Sequence, residues 1–492
     1  MPCDVLVVGA GPVGLTLAAE LRRYGVATRL IEKAPERSDK SKAVVVWSRT
    51  MELMDRMGCA PAFLATGLKA TVARIFFDGR EWGHIGLEGV ASPHPFALML
   101  PQSETERLMA EHLGRLGGSV ERGVELAGFT ADPARVVAQL RLPGGREETV
   151  ATQWLVGCDG AHSTVRHQLG MDFVGDTLMT DWVLADLEVP AEQARNEIEI
   201  HWHASGILAI FPITAGRIRI IADVGDTNAL QPRAEPTLAD IQALIAQRGP
   251  AGLQATTAIW LAAFHINERK VADYRAGRVF LAGDAAHVHS PAGGQGMNMG
   301  MQDACNLAWK LALVCRGECA PEPLLASFSA ERSEIGRQVL KATGRLTRLA
   351  VLRGGIKQDL RNRVAGVLLG LKSVRARVAD TITEVAMGYP DGPLNRGGDQ
   401  PRTGPAPGER APIRAGESPV GAGGEPRFAL FADPGAESGS LAVEFAGLIE
   451  PTVRAPFGSG GIWLVRPDGY VAVATRRGRG EEVAAFLRGL LA

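Results

Sequence analysis

The sequence predicts an α/β fold in three parts: a βαβ unit that begins a parallel sheet, an inserted and mostly antiparallel sheet, and a small αβ unit at the C terminus. Three observations predict it. Residues 4–32 follow a strand, glycine turn, helix and strand pattern, residues 173–265 alternate between polar and apolar positions, and residues 391–424 are dense in Gly and Pro. The length of 492 residues suits several domains.

The first unit surrounds a glycine turn. Residues 5–8 are continuously apolar, as a strand buried on both faces should be. Apolar residues between 15 and 21 give one helical face, and residues 27–31 form a second strand, so a parallel sheet starts here. Further buried strands are predicted at 154–156 and 278–282, and helices at 50–57, 104–116 and 299–314, with helical periodicity to about 389.

The later segments have a different pattern of polar and apolar residues. Residues 197–200 and 217–220 alternate strictly, which is typical of strands with one buried and one wet face, so an antiparallel sheet is predicted there. The terminal unit is predicted to contain a strand at 428–431, a hairpin of 462–465 with 470–474, and a helix at 481–491.

Composition excludes several function classes. Lys and Arg number 53 and Asp and Glu 54, so the net charge of -1 offers no field for nucleic acid or an anionic membrane. The sequence contains no apolar run of about 18 residues, so neither a transmembrane helix nor a signal peptide is predicted. The six cysteines include no C-x-x-C pair, which favours a reducing, cytoplasmic setting. His201 and His203 flank Trp202, but no third ligand accompanies them, so no metal is expected.

The strongest motif is Gly9-Ala10-Gly11-Pro12-Val13-Gly14, between a predicted strand and helix. The first glycine permits a tight turn, the second admits a pyrophosphate, and the third lets the helix pack on the strand. Glu32 ends the second strand, where a carboxylate can accept hydrogen bonds from a ribose. A purely structural glycine turn is the alternative, and Glu32 favours the nucleotide site.

Two later segments indicate which nucleotide binds. Asp284 follows Gly283 after a buried strand and can reach a ribitol hydroxyl. The glycine-rich loop 289–298 enters a helix, and its N–H groups can stabilise the negative charge of a reduced isoalloxazine. The alternative is a plain helix entry, but the three glycines of the loop favour a flavin.

These motifs together resemble one known family. With Asp159-Gly160-Ala161-His162-Ser163-Thr164-Val165-Arg166 and Gly283-Asp284-Ala285-Ala286-His287, the chain is similar over residues 1–390 to the group A FAD-dependent aromatic monooxygenases, which share the para-hydroxybenzoate hydroxylase fold. The tail, with Arg466-Pro467-Asp468-Gly469-Tyr470, resembles the thioredoxin-like C-terminal domain of the phenol and polyketide hydroxylase branches.

The resemblance implies a domain division. The FAD-binding domain, with its Rossmann-like βαβ unit, would comprise 1–172 and 268–390, and the substrate-binding sheet domain 173–267 with part of 73–100. Residues 391–424 would be a linker and 425–492 the thioredoxin-like domain. A homodimer is one assembly that the sequence leaves open.

The resemblance also implies site residues. Lys42 stands where many relatives carry Arg, and a lysine lacks the planar guanidinium that can bind a phosphate with two hydrogen bonds. Pro291 would lie beside the flavin ring, with no acid or base assigned among the four tyrosines. The implied FAD-binding residues are Gly9, Gly11, Pro12, Val13, Gly14, Glu32, Lys33, Lys42, Gln102, Asp159, Asp284, Pro291, Gly294, Gly296, Met297 and Asn298.

The implied reaction is aromatic hydroxylation. NADPH or NADH would reduce FAD, O₂ would add to give a flavin C4a-hydroperoxide, and an aromatic or polycyclic phenolic substrate would gain one oxygen. The alternatives are Baeyer–Villiger oxygenation or epoxidation on the same fold, and a flavin-binding protein without turnover. Halogenation is disfavoured because the chain has no Trp-x-Trp-x-Ile-Pro segment. Trp202, Leu208, Phe211 and Pro212 are candidates for the substrate site, with core packing as the alternative.

Overall fold

The computed structural model describes residues 3–40, 43–227, 234–350, 370–397 and 399–491, so Lys42 lies outside the described residues. Its α-helices are α1 (Pro12–Arg23), α2 (Ser48–Met57), α3 (Ala60–Thr66), α4 (Gln102–Arg115), α5 (Thr164–Gln168), α6 (Leu238–Arg248), α7 (Gly296–Cys315), α8 (Pro321–Ala350), α9 (Lys372–Ile382), α10 (Ala436–Glu444) and α11 (Gly480–Leu491).

The strands are, in chain order, β1 (Cys3–Val8), β2 (Thr28–Glu32), β3 (Val45–Val46), β4 (Leu68–Ala70), β5 (Val72–Phe77), β6 (Arg80–Gly86), β7 (Ala97–Met99), β8 (Val120–Arg122), β9 (Glu125–Ala131), β10 (Val136–Arg141), β11 (Glu147–Gly157), β12 (Val174–Glu188), β13 (Ile198–His203), β14 (Gly206–Thr214), β15 (Arg217–Asp226), β16 (Thr257–Lys270), β17 (Arg275–Ala276), β18 (Val279–Leu281), β19 (His287–Val288), β20 (Arg396–Gly397), β21 (Ala429–Phe431), β22 (Gly461–Val465) and β23 (Val471–Arg476).

The first sheet carries the βαβ unit. Its order is β17-β18-β11-β1-β2-β8, with β10 and β9 branching from β11. The pairs of β1 with β2 and β11, of β11 with β18 and of β2 with β8 are parallel, so the carboxyl ends of β1, β11 and β18 meet at one edge. Ligands of open parallel sheets bind at such an edge.

The inserted sheet is antiparallel except for one pair. Its order is β19-β16-β12-β15-β14-β13-β5-β6, and only β13 and β5 run parallel. Helix α6 packs on one face, where Leu208, Ile220 and Ile241 belong to one buried apolar cluster. The opposite face turns toward the cavity described below.

The terminal domain shares the main core of the molecule. Its sheet has the order β20-β23-β22-β21, and β20, from the Gly- and Pro-rich segment, pairs with β23. The rings of Phe428 and Trp309 pack edge to face with centroids 5.6 Å apart. Both side chains are completely buried, so apolar packing of α7 against Phe428, the residue before β21, joins this domain to the main core.

No helix in the described ranges is long and apolar enough to cross a bilayer.

Candidate functional site

A cavity of about 400 Å³ lies between the carboxyl edge of the first sheet and the inserted sheet. Loops carrying the three sequence motifs line one side, and apolar side chains of the inserted sheet line the other. The lining residues that sequence analysis predicts for cofactor or substrate are Gly11, Pro12, Val13, Gln102, Phe211, Asp284, Pro291, Gly294, Gly296 and Met297.

The first glycine turn is shaped by close backbone contacts. Gly9 has φ +99°, and a Cβ there would lie 2.5 Å from the Cys158 carbonyl oxygen. A Cβ on Gly14 would lie 1.9 Å from the Gly9 carbonyl oxygen, so α1 and β1 approach too closely for any side chain. Gly11 differs, because a Cβ there meets no atom of the described protein within 4 Å, and the residue faces the cavity.

Val13 connects the first motif to the third. A Cβ on Gly283, which has φ +60°, would lie 2.7 Å from a Val13 methyl, and one on Gly300 would lie 2.6 Å from the same methyl. The two glycines therefore make room for Val13 between β18 and α7. This packing places the N terminus of α1 beside Asp284.

The middle motif is a helix cap that reaches the third motif. Asp159 accepts hydrogen bonds from the Ser163 hydroxyl at 2.5 Å and the Val165 N–H at 3.2 Å, which starts α5. The buried Arg166 guanidinium donates to the Ala285 carbonyl at 3.0 Å. Asp159 thus supports the site through α5; its own side chain does not line the cavity.

A buried carboxylate holds the third motif in place. Asp303 on α7 accepts hydrogen bonds from the Gly283 N–H at 3.0 Å, His287 Nε2 at 2.9 Å and Arg332 Nε at 2.6 Å. Burial opposes its ionisation, but Arg332 and His287 outweigh burial and keep the pKa of Asp303 below its usual range. Asp303, which sequence analysis missed, fixes the backbone next to Asp284.

In the predicted site, Glu32 would bind the adenosine ribose and Gln102 would reach the ribityl or phosphate region of FAD. The Glu32 carboxylate accepts from the Ala10 N–H at 2.8 Å and the Ala34 N–H at 2.9 Å, so it closes the first loop and keeps further lone pairs for a ribose. Gln102 begins α4 and lines the cavity, whereas Lys33 is exposed and lies outside its lining.

Asn298 is a structural residue of the third loop. Its amide donates to the Val45 carbonyl at 2.9 Å and the Gly294 carbonyl at 3.0 Å, and its oxygen accepts from the Trp47 N–H at 2.9 Å. The side chain is completely buried, so these bonds leave it turned away from the cavity. Asn298 therefore shapes the glycine-rich loop 289–298 that is predicted to lie beside the isoalloxazine.

His289 lies in the cavity wall as a neutral imidazole. Burial and the neighbouring His287 lower its pKa to about 4. Nδ1 donates to the Ser290 carbonyl at 2.9 Å, and the buried Nε2 has no hydrogen-bond partner in the described part of the chain. A neutral ring adds no charge beside the predicted flavin position.

One of the four predicted substrate residues lies in the roof of the cavity, which the inserted sheet forms. Phe211 lines it, together with Leu184, Ile221 and Phe264. Leu208 is completely buried in the cluster under α6, on the opposite face of the same strand, so it is a core residue and not a lining residue. Trp202 and Pro212 also lie outside the lining.

Sequence analysis did not single out His265, which touches the same cavity, or its neighbour Asp181. His265 lines the cavity, and its Nε2 lies 2.9 Å from Asp181 Oδ1. The tyrosines do not line the cavity, and burial raises the pKa of Tyr24 to about 12 and that of Tyr274 well above its ordinary value. The register of β16 with β12 could have indicated the pair, but no local motif marks it.

The residues present fit FAD. The backbone at Gly11 is open toward the cavity, the N termini of α1 and α7 both point there, and Asp284 stands between them. Helix N termini favour phosphate and a reduced ring system, because their N–H groups lack intrahelical partners.

Comparisons with known proteins agree with this geometry. Residues 2–343 match the family model described as an FAD binding domain. The chain is 35% identical to 6-methylpretetramide 4-monooxygenase of Streptomyces rimosus over 532 residues, covering 99% of this chain and 93% of that protein.

Two solved structures are similar over the whole chain. Anhydrotetracycline hydroxylase from Streptomyces rimosus has a TM-score of 0.80 at 29% identity, covering 100% of this chain and 99% of that one. An aromatic hydroxylase from angucycline biosynthesis has a TM-score of 0.78 at 31% identity, covering 100% of both chains.

Proposed function

The chain belongs to the family of FAD-dependent aromatic monooxygenases, and on that premise we propose that it hydroxylates a polycyclic phenolic substrate with NADPH or NADH as reductant. One observation carries the proposal: the three motif loops and the apolar roof of the inserted sheet line a single cavity. Relatives named for polycyclic substrates support the substrate class. Six free cysteines support a cytoplasmic setting.

Each part of the cavity has a task in this reaction. When bound, FAD supplies hydride acceptance from the nicotinamide and activation of O₂. The Gly9–Gly14 loop and the N terminus of α1 would hold the pyrophosphate, Asp284 the ribitol, and the loop from Pro291 to Met297 the ring system. Phe211 and the other roof residues would pack against the substrate and exclude water.

Isotope labelling tests this proposal. The purified protein would be incubated with FAD, NADPH or NADH, and a panel of phenols and hydroxyanthraquinones under ¹⁸O₂. We expect one product with a single labelled oxygen, detected by mass spectrometry. Oxidation of the nicotinamide to give only H₂O₂ with every compound, or a ring-expanded lactone, would contradict hydroxylation. Asp284→Ala is a second test of the same site, because weaker FAD binding should lower the product yield.

A further inference from the structure

Four adjacent strands of the inserted sheet build the roof of the cavity. In the order β16-β12-β15-β14, each strand places an apolar side chain in the lining. These side chains are Phe264, Leu184, Ile221 and Phe211. Three of their sequence neighbours lie instead in the apolar cluster under α6, namely Val183, Ile210 and Ile220. Because successive side chains of a strand alternate between faces, the four lining residues share the face that is turned toward the cavity.

The strand register places the two phenylalanines at opposite corners of this roof. Leu184 pairs with Ile221, and these two residues form its centre. Phe264 lies opposite the residue two before Leu184 on β12, and Phe211 lies opposite the residue two before Ile221 on β15. Because β12 and β15 run antiparallel, these two displacements point in opposite directions. The apolar side chains therefore follow a diagonal from Phe264 to Phe211.

The length of this diagonal determines which ligands can contact both of its ends. Neighbouring strands lie about 4.8 Å apart, so β16 and β14 are separated by about 14 Å, and the displacement along the strands adds to this distance. A single phenol ring covers about one strand spacing, so it can contact Phe211 or Phe264 but not both. Because each phenyl ring can extend from its strand toward the centre, three or more fused rings can contact both.

The centre of the roof suits the flat face of such a ring system. Leu184 is almost completely buried and Ile221 is half-buried, so both offer aliphatic carbon in a packed position. In the same row, the outer strands carry only the small side chains of Ala262 and Ala209. An aromatic ligand that lies on this surface removes apolar area from water along its whole length.

Charged side chains beside the diagonal are already paired with protein groups. Arg219 donates to the Asp186 carboxylate at 2.6 and 2.9 Å, and both side chains are buried. Asp223 forms a buried pair with Arg248, whose nearest nitrogen lies 3.3 Å from the carboxylate. The contacts that the diagonal offers to a ligand are therefore apolar ones.

We propose that Phe211 and Phe264 are specificity-determining residues, which select a planar system of three or more fused rings over a single-ring phenol. This rests on the proposed function, and it assigns the selection of the substrate class to two residues. A long ring system packs against both phenyl rings and the aliphatic centre, whereas a single ring packs against one end.

Ligand binding tests the proposal without turnover. FAD-loaded protein would be titrated by calorimetry with phenol and with 1-hydroxyanthraquinone. Phe211→Ala and Phe264→Ala should each weaken binding of the anthraquinone about 10-fold, because each variant removes the contact at one end. Binding of phenol should be weakened by one of the two variants at most. Phe211→Leu and Phe264→Leu keep part of the apolar area, so they should show the same pattern with smaller losses.

The control is Phe77→Ala, because Phe77 is half-buried on β5 of the same sheet and lies outside the cavity lining. It should leave both affinities unchanged. Unchanged binding of the anthraquinone in Phe211→Ala or Phe264→Ala with FAD still bound, or weaker binding of phenol in both variants, would overturn the proposal. The expected binding pattern without ¹⁸O incorporation would contradict the proposed function instead.

Discussion

The cavity and the joint between the terminal domain and α7 use polar groups in opposite ways. In the cavity, Asp284 is exposed and the ring of Phe211 is half-buried. At the centre of the joint, the charged side chains are paired and have almost no exposure. The side chains of that joint, here called the buried charge cluster, are Asn306, Lys310, Glu331, Arg466 and Asp468.

The buried charge cluster balances two positive and two negative side chains. Arg466 donates to Glu331 at 2.6 and 3.0 Å and to Asp468 at 3.0 and 2.6 Å. Lys310 donates to Glu331 at 2.9 Å. Asn306 donates to Glu331 at 2.8 Å and to Asp468 at 3.3 Å. Buried charges with complete pairing fix a structure, whereas the polar groups of the cavity are positioned for ligands.

The cluster also connects to the flavin loop. Tyr389 accepts hydrogen bonds from Asn306 at 3.4 Å and from Arg332 at 3.1 Å, and Arg332 donates to Asp303. Asp303 in turn holds the Gly283 N–H. The terminal domain is therefore joined through buried polar contacts to the loop that carries Asp284. We expect the domain to support the site, although it lines none of the cavity.

The largest expected effect comes from breaking the cluster. Arg466→Ala removes the buried guanidinium that pairs with Glu331 and Asp468, so the free energy of unfolding should fall by about 3–5 kcal/mol. Arg488→Ala is the control in the same domain, because Arg488 is 49% exposed in its pairs with Glu444 and Glu481, and it should leave the free energy of unfolding nearly unchanged. Urea unfolding measures both, and equal losses would refute the difference between them.

The two faces of β14 give the next contrast. Leu208→Ala opens a cavity in the core under α6 and should lower the free energy of unfolding by about 2–5 kcal/mol. Phe211→Ala removes a half-buried roof residue, so it should cost less stability but weaken binding of a hydroxyanthraquinone about 10-fold. Urea unfolding and fluorescence titration check these values; the opposite assignment would mean that the faces are reversed.

Acid should weaken the buried charge cluster. Burial opposes ionisation of Glu331, but Arg466 and Lys310 outweigh it and lower its pKa to about 2, from about 4.3 in the unfolded chain. A lowered folded pKa gives stability that is present above about pH 4.3 and is lost as the pH falls toward 2, by at most about 3 kcal/mol. Urea unfolding of wild type and Glu331→Gln over this range should show a shallower pH dependence in the variant.

Local motifs allowed much of the site to be predicted. Gly9 and Gly14 are required by close backbone contacts, and Gly283 by its positive φ and the neighbouring Val13 methyl. Such positions recur wherever this strand–turn–helix geometry occurs, so the sequence alone indicates them. The fold class also followed from periodicity, because buried strands and one-faced strands have different patterns.

The remaining features depend on which segments meet in space. Alternation shows that Leu208 and Phe211 point to opposite faces, but it does not tell which face turns toward the cavity. Trp202 shares a face with Phe211 yet lies on β13, too far along the sheet to line the cavity. Arg466 was predicted only as part of a turn, because its partner Glu331 is 135 residues away.

The placement of FAD in this cavity is tested most directly by the substitution Gly11→Ala. Gly11 has φ −73°, and a Cβ there meets no described protein atom within 4 Å, so Gly11→Ala should leave the free energy of unfolding nearly unchanged. Gly114→Ala, on α4 and equally free of contacts, is the control. Titration of apoprotein with FAD, followed by flavin fluorescence, should show at least about 10-fold weaker binding for Gly11→Ala alone, because the methyl meets the pyrophosphate. Wild-type affinity in Gly11→Ala would contradict the placement of FAD in this cavity.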